Sequence, residues 1–379
     1  MNELAPVLKN QFPGSNSLLF FDHAGISPIT QRAKEKIIQF ARQISQPEGI
    51  LPGKFLEEIE QARKFCACLL NTEPSNIAFV RSTSFGISLV ASGLSFKPGD
   101  NIITFAREFP ANIYPWLNLR KKGVEVRMVP PREGRVLIED IEKLINSRTR
   151  LVAISSVQFT NGFRIDLKRL SQLCQSKRIL LLVDAIQSLG IIPFDLKETP
   201  VDFISADGHK WLLSPEGIGI FYINPERLQE LDLNIVGWNS VVDAHNFLDY
   251  RLEFRKDARR FEEGSYNTLS ILALGASVSL LLEAGIENLF QRVLHLTGIL
   301  AEELEKLGAK ILSPMGEGER SGILSIQVEG LSPEELYAGL RERGVVSCPR
   351  GEGLRLSPHG YQEEEDVERF LRAFREAIK

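Results

Sequence analysis

Five consecutive apolar residues, Ile179 to Val183, end abruptly at a carboxylate, Asp184. An unbroken apolar run has no polar face, so the strand it predicts is covered on both sides, as in a parallel sheet between two layers of helix. Such a strand delivers a charge only where it leaves the core. In open α/β sheets that place is the carboxyl edge, where ligands bind. Further along, Asp207-Gly208-His209-Lys210-Trp211 sets one lysine between a histidine and a tryptophan, just before the glycine turn Gly217-Ile218-Gly219. Charged side chains are mostly solvated. Taken alone, Asp184 and Lys210 therefore also read as an ordinary strand end and a surface lysine.

The rest of the chain repeats the same unit. Strands are predicted at 76–80, 101–105, 124–129, 151–157, 179–183, 202–205 and 219–223, with helices between most of them. That alternation predicts an α/β fold with a mostly parallel, mixed sheet. Ser82-Thr83-Ser84, Phe109, Gln158, Asp184 and Lys210 each follow a strand end, so the architecture turns them all toward one crevice. The hydroxyl cluster at 82–84 opens a helix. It reads either as a plain N-cap or as an anion cradle of free amides and hydroxyls. After residue 284 the pattern becomes α+β, which predicts a smaller C-terminal domain. The expected division is a large domain at 18–283, with 1–17 and 284–379 forming the small one. Residues 1–17 read as a short amphipathic arm.

Composition narrows the function classes. Apolar residues make up 43% and charged residues 25%, an ordinary globular balance, and the net charge is −4. With no long basic run, no nucleic-acid partner is expected. No apolar stretch is long enough to span a bilayer, and residues 1–6 lack a signal-peptide layout, so no membrane partner and a cytoplasmic location are expected. Cys66, Cys68, Cys174 and Cys348 form neither a zinc pattern nor a disulfide framework, and no metal is expected.

A strand-end carboxylate and a lysine among apolar neighbours suit an enzyme that binds pyridoxal phosphate (PLP). The lysine would form a Schiff base with the aldehyde, and the aspartate would pair with the ring nitrogen. Asp184-x-x-Gln187, then Asp207-Gly208-His209-Lys210-Trp211 and Gly217-Ile218-Gly219, carry a resemblance to the class V aminotransferases of PLP fold type I. It extends from Phe21-Asp22-His23-Ala24-Gly25 to the final helix. Relatives include cysteine desulfurases, C–S lyases, kynureninases and isopenicillin N epimerase-like proteins.

The resemblance implies that Lys210 carries the cofactor and moves protons at Cα, and that Asp184 holds the ring nitrogen. Gln187 would contact the phenolic oxygen. Ser82, Thr83, Ser84 and His209 would hold the phosphate, while Phe109 and Gln158 would line the ring. Ser265 would reach the phosphate of a second subunit, which implies a homodimer with shared sites. Arg355 would clamp the α-carboxylate of an amino-acid substrate. Beside these, Trp238 reads either as lining the substrate pocket, of this chain or its partner, or as core, and His23, at a turn, either as reaching the site mouth or as structural.

Three departures bear on the reaction. Phe109 stands where desulfurases place a histidine. Asp207 replaces a hydroxyl residue on the phosphate. Cys348 lies in Ser347-Cys348-Pro349-Arg350, outside the Arg-x-Gly-x-x-Cys context of desulfurases, and reads as structural or incidental. The expected activity is Cα deprotonation of an L-amino acid in the desulfurase/C–S lyase manner, β-elimination first. Transamination, epimerisation or a non-catalytic regulatory role are the alternatives.

Overall fold

The computed structural model describes residues 8–13, 18–51 and 53–379. The chain opens with β1 (Leu19–Phe20) and two helices, α1 (Gln31–Ile44) and α2 (Leu56–Cys68). Thr30 caps α1 by accepting from the Ala33 amide. Then follow β2 (Ile77–Val80), α3 (Thr83–Gly93), β3 (Asn101–Phe105), α4 (Tyr114–Asn118), β4 (Glu125–Val129), α5 (Ile138–Leu144), β5 (Thr149–Ser155), α6 (Leu167–Lys177), β6 (Leu180–Asp184), β7 (Phe203–Asp207) and β8 (Gly219–Ile223).

These seven strands, β2 to β8, form one sheet in the order β2-β8-β7-β6-β5-β3-β4. Every pairing is parallel except the two made by β8. The β7–β8 connection has no room for a helix, so the chain turns back and β8 runs antiparallel. Because β8 opposes both neighbours, β2 ends at the same edge as β7. Val80 and Asp207 both pair with Gly219. Side chains alternate between two apolar layers: Ile103, Val152, Leu181 and Ile204 join one core cluster, and Ile102, Leu151, Leu182 and Phe203 the other.

Helix α7 (Thr268–Ala284) is apolar all round and is buried against α1 and α2. The rest is α8 (Ile286–Lys306), β9 (Ala309–Ile311), β10 (Leu324–Val328), α9 (Pro333–Glu342), β11 (Val345–Val346), β12 (Cys348–Arg350), β13 (Gly353–Leu356) and α10 (Glu364–Ala377). A four-stranded antiparallel sheet, β12-β13-β10-β9, packs on a third core that includes Leu19, Phe21, Leu354, Leu356 and Phe370. No single described helix is long and apolar enough to cross a membrane.

Of the predicted N-terminal arm, residues 1–7 and 14–17 lie outside the described residues. Leu8 and Phe12 are buried, and Phe12 stacks on Tyr361 at 4.1 Å.

Candidate active site

The carboxyl edge of the large sheet gathers the predicted residues. Ser155 on β5 pairs with Asp184 on β6, and Asp184 with Ser205 on β7, so Asp184 sits in the middle of the edge. It is fully buried, and burial pushes its pKa up to about 6 against the pull of the Ile186 amide and the Lys210 charge. Among the described residues no cation lies within ion-pair distance of it.

Lys210 follows β7. Burial and the Arg355 charge lower its pKa to about 8, while Asp184, Asp22 and Asp207 oppose the change. Its Nζ lies 5.7 Å from the centre of the Phe109 ring. Phe109 stands edge-on to Phe159 at 5.3 Å and is 45% exposed, leaving a ring face for stacking.

The start of α3 forms the predicted cradle, and its three hydroxyls take different roles. Ser82 is an N-cap, accepting from the Phe85 amide at 3.2 Å. Thr83 is buried and tied to β7: its Oγ1 accepts from the Asp207 amide at 2.8 Å, and its carbonyl accepts from the Ser205 hydroxyl at 3.0 Å. Its own hydroxyl proton stays free to donate. Ser84 is exposed. The amides opening a helix lack intrahelical acceptors, so an anion fits there. Gly86 permits this closeness, since a Cβ would meet the Ser205 hydroxyl at 2.3 Å.

Asp207 is a buried carboxylate beside the expected phosphate position. Its Oδ1 lies 2.9 Å from His209 Nδ1, in ion-pair range but off the ring N–H direction, so no hydrogen bond forms. Gln187 is already engaged within the chain. Its Oε1 accepts from the Trp211 indole at 3.0 Å and its Nε2 donates to the Ala24 carbonyl at 3.0 Å, leaving one amide hydrogen for a ligand. Gln158 donates to Glu108 at 3.2 Å, and its buried Oε1 has no partner among the described residues.

Arg355 reaches the site by strand alternation. Leu354 and Leu356 face the small core, so Arg355 projects from the opposite face, where it is 1% exposed. Its Nη1 donates to the Phe159 carbonyl at 3.0 Å, and its Nη2 to Asp22 Oδ1 at 2.8 Å. Cys348 on β12 pairs in register with Arg355, so both side chains leave the same face. The thiol is therefore beside the arginine rather than incidental. Burial and the Asp22 charge raise its pKa.

One expectation is corrected and another is narrowed. His23 is fully buried, not at a mouth. Its Nδ1 lies 2.9 Å from the Ser357 carbonyl, and its ring packs among Trp211, His359 and Tyr361. Burial lowers its pKa to about 4, so it is neutral and structural. Within the chain Trp238 lines a separate cleft of about 310 Å³ with Val236 and Tyr250, beside His245 and Phe247. The apolar surface that such a ring covers put it there, not at the strand ends. Ser265 is exposed and shares a cleft with Arg81 and Phe85 near the start of α3.

Sequence reasoning missed Glu108 and Asp22 as site residues. Glu108 is buried, and burial raises its pKa to about 7 although the Ser155 hydroxyl and amide both donate to it. It follows β3 just as Phe109 does, so the strand-end rule applied to it equally.

The residues suit PLP. Asp184 is a buried carboxylate with no cation in ion-pair range among the described residues, the half-buried Lys210 of lowered pKa feels its charge, a helix start offers amides, and the Phe109 ring stands over the lysine. The aminotransferase class-V family model matches residues 19–370. The chain belongs to the class-V aminotransferase family. It is a PLP-dependent enzyme of that family. A probable cysteine desulfurase of Pyrococcus abyssi is 27% identical, covering 98% of this chain and 97% of the relative. An apo cysteine desulfurase from Thermococcus onnurineus superposes with a TM-score of 0.90 at 24% identity, over 98% of each chain. The cystine C–S lyase C-DES, in complex with its reaction product cysteine persulfide, superposes with a TM-score of 0.89 at 22% identity, over 96% of this chain and 99% of the neighbour. These two likenesses establish the fold of the enzyme, α/β with a mostly parallel mixed sheet.

Proposed function

We propose that the enzyme cleaves the Cβ–S bond of a cysteine-type L-amino acid by β-elimination, releasing the sulfur to solution. Bound PLP supplies an electron sink for the charge left at Cα. Lys210, neutral above about pH 8, takes the α-proton. Asp184 meets the ring nitrogen, and Thr83 with the α3 amides holds the phosphate. Phe109 covers the ring face and excludes water. Arg355 holds the substrate carboxylate. A cleft of about 750 Å³, lined by Glu108, Phe159, Asn161 and Arg350, gives the sulfur substituent room.

The observation that carries elimination over persulfide transfer is the β12–β13 hairpin. Cys348 is fixed in a strand by its pairing with Arg355, and its thiol, raised in pKa, lies 3.7 Å from the Pro349 carbonyl. A thiol that attacks sulfur must ionise and travel, and this one is disposed to neither. The same register also favours a second reading, because it puts the thiol beside Arg355: desulfuration with Cys348 as sulfur acceptor. A product screen with L-cysteine and L-cystine separates them. We expect pyruvate and ammonia, with sulfide or a small-molecule persulfide in solution, unchanged in Cys348→Ser. Alanine formed together with a protein persulfide, both lost in Cys348→Ser, would replace the first reading with the second.

The active unit is a homodimer. Two features support this: exposed Phe247, Leu248, Tyr250 and Leu252 form an apolar surface that favours burial, and Ser265 is exposed and so open to a neighbouring subunit. Sedimentation of holoenzyme at micromolar concentration should give a dimer. A monomer that retains PLP tightly would contradict it.

A further inference from the structure

Arg355 is buried, and both of its terminal nitrogens are already engaged, one by Asp22 and one by the Phe159 carbonyl. Its Nε is buried without a partner among the described residues. A carboxylate gripped bidentately needs two donors on one edge of the guanidinium. We propose that Asp22 is an internal stand-in for the substrate carboxylate, which displaces it from Arg355 on binding. The proposal rests on the reading of Arg355 as the carboxylate clamp.

The surroundings of Asp22 suit a side chain that exchanges on a fixed backbone. The neighbouring Phe21 amide donates to Val346 at 2.8 Å and the His23 amide to Ser357 at 3.2 Å, while Asp22 itself bridges to Ser357. Among the described residues the carboxylate itself is held by Arg355 alone. Its side chain is 16% exposed, so water reaches it. The Gly25 amide closes a turn onto the Asp22 carbonyl at 2.9 Å, and a Cβ on Gly25 would lie 2.3 Å from Asp22 Oδ2. Glycine at 25 therefore keeps space open for this carboxylate.

Asp22 is also the one carboxylate in ion-pair range of Arg355 among the described residues. A buried guanidinium left without an anion is costly, and Asp22 offsets that cost until substrate arrives. The exchange makes the site selective. A ligand must bring its own carboxylate, because any other leaves Asp22 in place. While paired with Arg355, Asp22 is also one of the carboxylates that favour the charged form of Lys210.

The test uses PLP-loaded enzyme and propionate, a carboxylate with no amine, titrated at fixed pH and ionic strength. The shift in the visible absorbance of the bound cofactor reports binding. With Asp22→Asn, propionate affinity should rise by about tenfold or more, because the internal competitor is gone. Asp22→Ser should act in the same direction and serves if the asparagine variant misfolds. Unchanged or weaker binding in both would overturn the proposal and make Asp22 a splint for Arg355. Arg355→Gln tests the underlying reading separately. If it binds propionate as well as the parent does, the clamp itself is wrong. If it loses binding while the Asp22 variants show no gain, only the exchange is wrong.

Discussion

Replacing Lys210 with alanine lowers turnover by at least about 10²- to 10⁴-fold, the usual contribution of a positioned acid–base group. The position of Lys210 sets this expectation. It follows β7, its Nζ faces Phe109, and Asp184 is the buried carboxylate whose charge most strongly opposes its loss of a proton. Burial also decides when the amine reacts. With its pKa lowered from 10.5 to about 8, the neutral form is present above about pH 8 instead of only above 10.5. Capture of PLP by the apoprotein should therefore accelerate as pH rises and level off above about 8. Adding a small primary amine to Lys210→Ala should restore part of the turnover, because it replaces the missing proton carrier. Turnover within a few-fold of the parent in Lys210→Ala would refute the role. A capture rate still climbing steeply at pH 10 would refute the environment.

The second large effect is on stability. Arg63 is fully buried and donates to Glu262 through two nitrogens, at 2.6 and 3.1 Å. It also donates to the Ile77 carbonyl at 2.9 Å, with its guanidinium 4.5 Å from the Phe79 ring centre. Glu262 in turn accepts from the Phe79 amide at 2.7 Å and the Tyr266 hydroxyl at 3.0 Å. Arg63→Met strands the Glu262 charge in the interior and should cost about 3–5 kcal/mol in urea unfolding. The double variant Arg63→Met/Glu262→Gln should recover much of that loss. The neutral amide still accepts from Phe79 and no charge is left unpaired. A loss under about 1 kcal/mol for the single variant would mean that water reaches Glu262 and the pair is not a structural tie. Glu262 precedes Ser265 by three residues, so the single variant should also loosen the loop that presents Ser265.

The large sheet was legible because most of its strands are short apolar runs with a polar or glycine-containing stop; β4, an edge strand carrying Glu125 and Arg127, is the exception. Asp184, Lys210, Thr83 and Phe109 were legible with it, since each follows such a stop. The reversal at β8 was present in the length of 208–218, too short for a helical crossover. What escaped the sequence depends on partners distant along the chain. Asp22 and Arg355 are 333 positions apart, and no local pattern joins them. His23, at a turn, read as able to reach the site mouth, yet its contacts to the Ser357 carbonyl and four aromatic neighbours bury it. No strand was expected over Cys348-Pro349-Arg350, since proline is unusual inside a sheet. It is tolerated here because β12 is an edge strand. Once β12 is a strand, Cys348 falls opposite Arg355, and its relation to the site follows from register alone.

The central claim is that the strand-end crevice holds PLP on Lys210. Borohydride reduction of PLP-loaded enzyme, followed by proteolysis and mass mapping of the peptides, tests it most directly. A single reduced adduct is expected on the peptide containing Asp207 to Trp211, located on Lys210 and absent from Lys210→Ala. A stable adduct on any other lysine, or one that survives in Lys210→Ala, would contradict it.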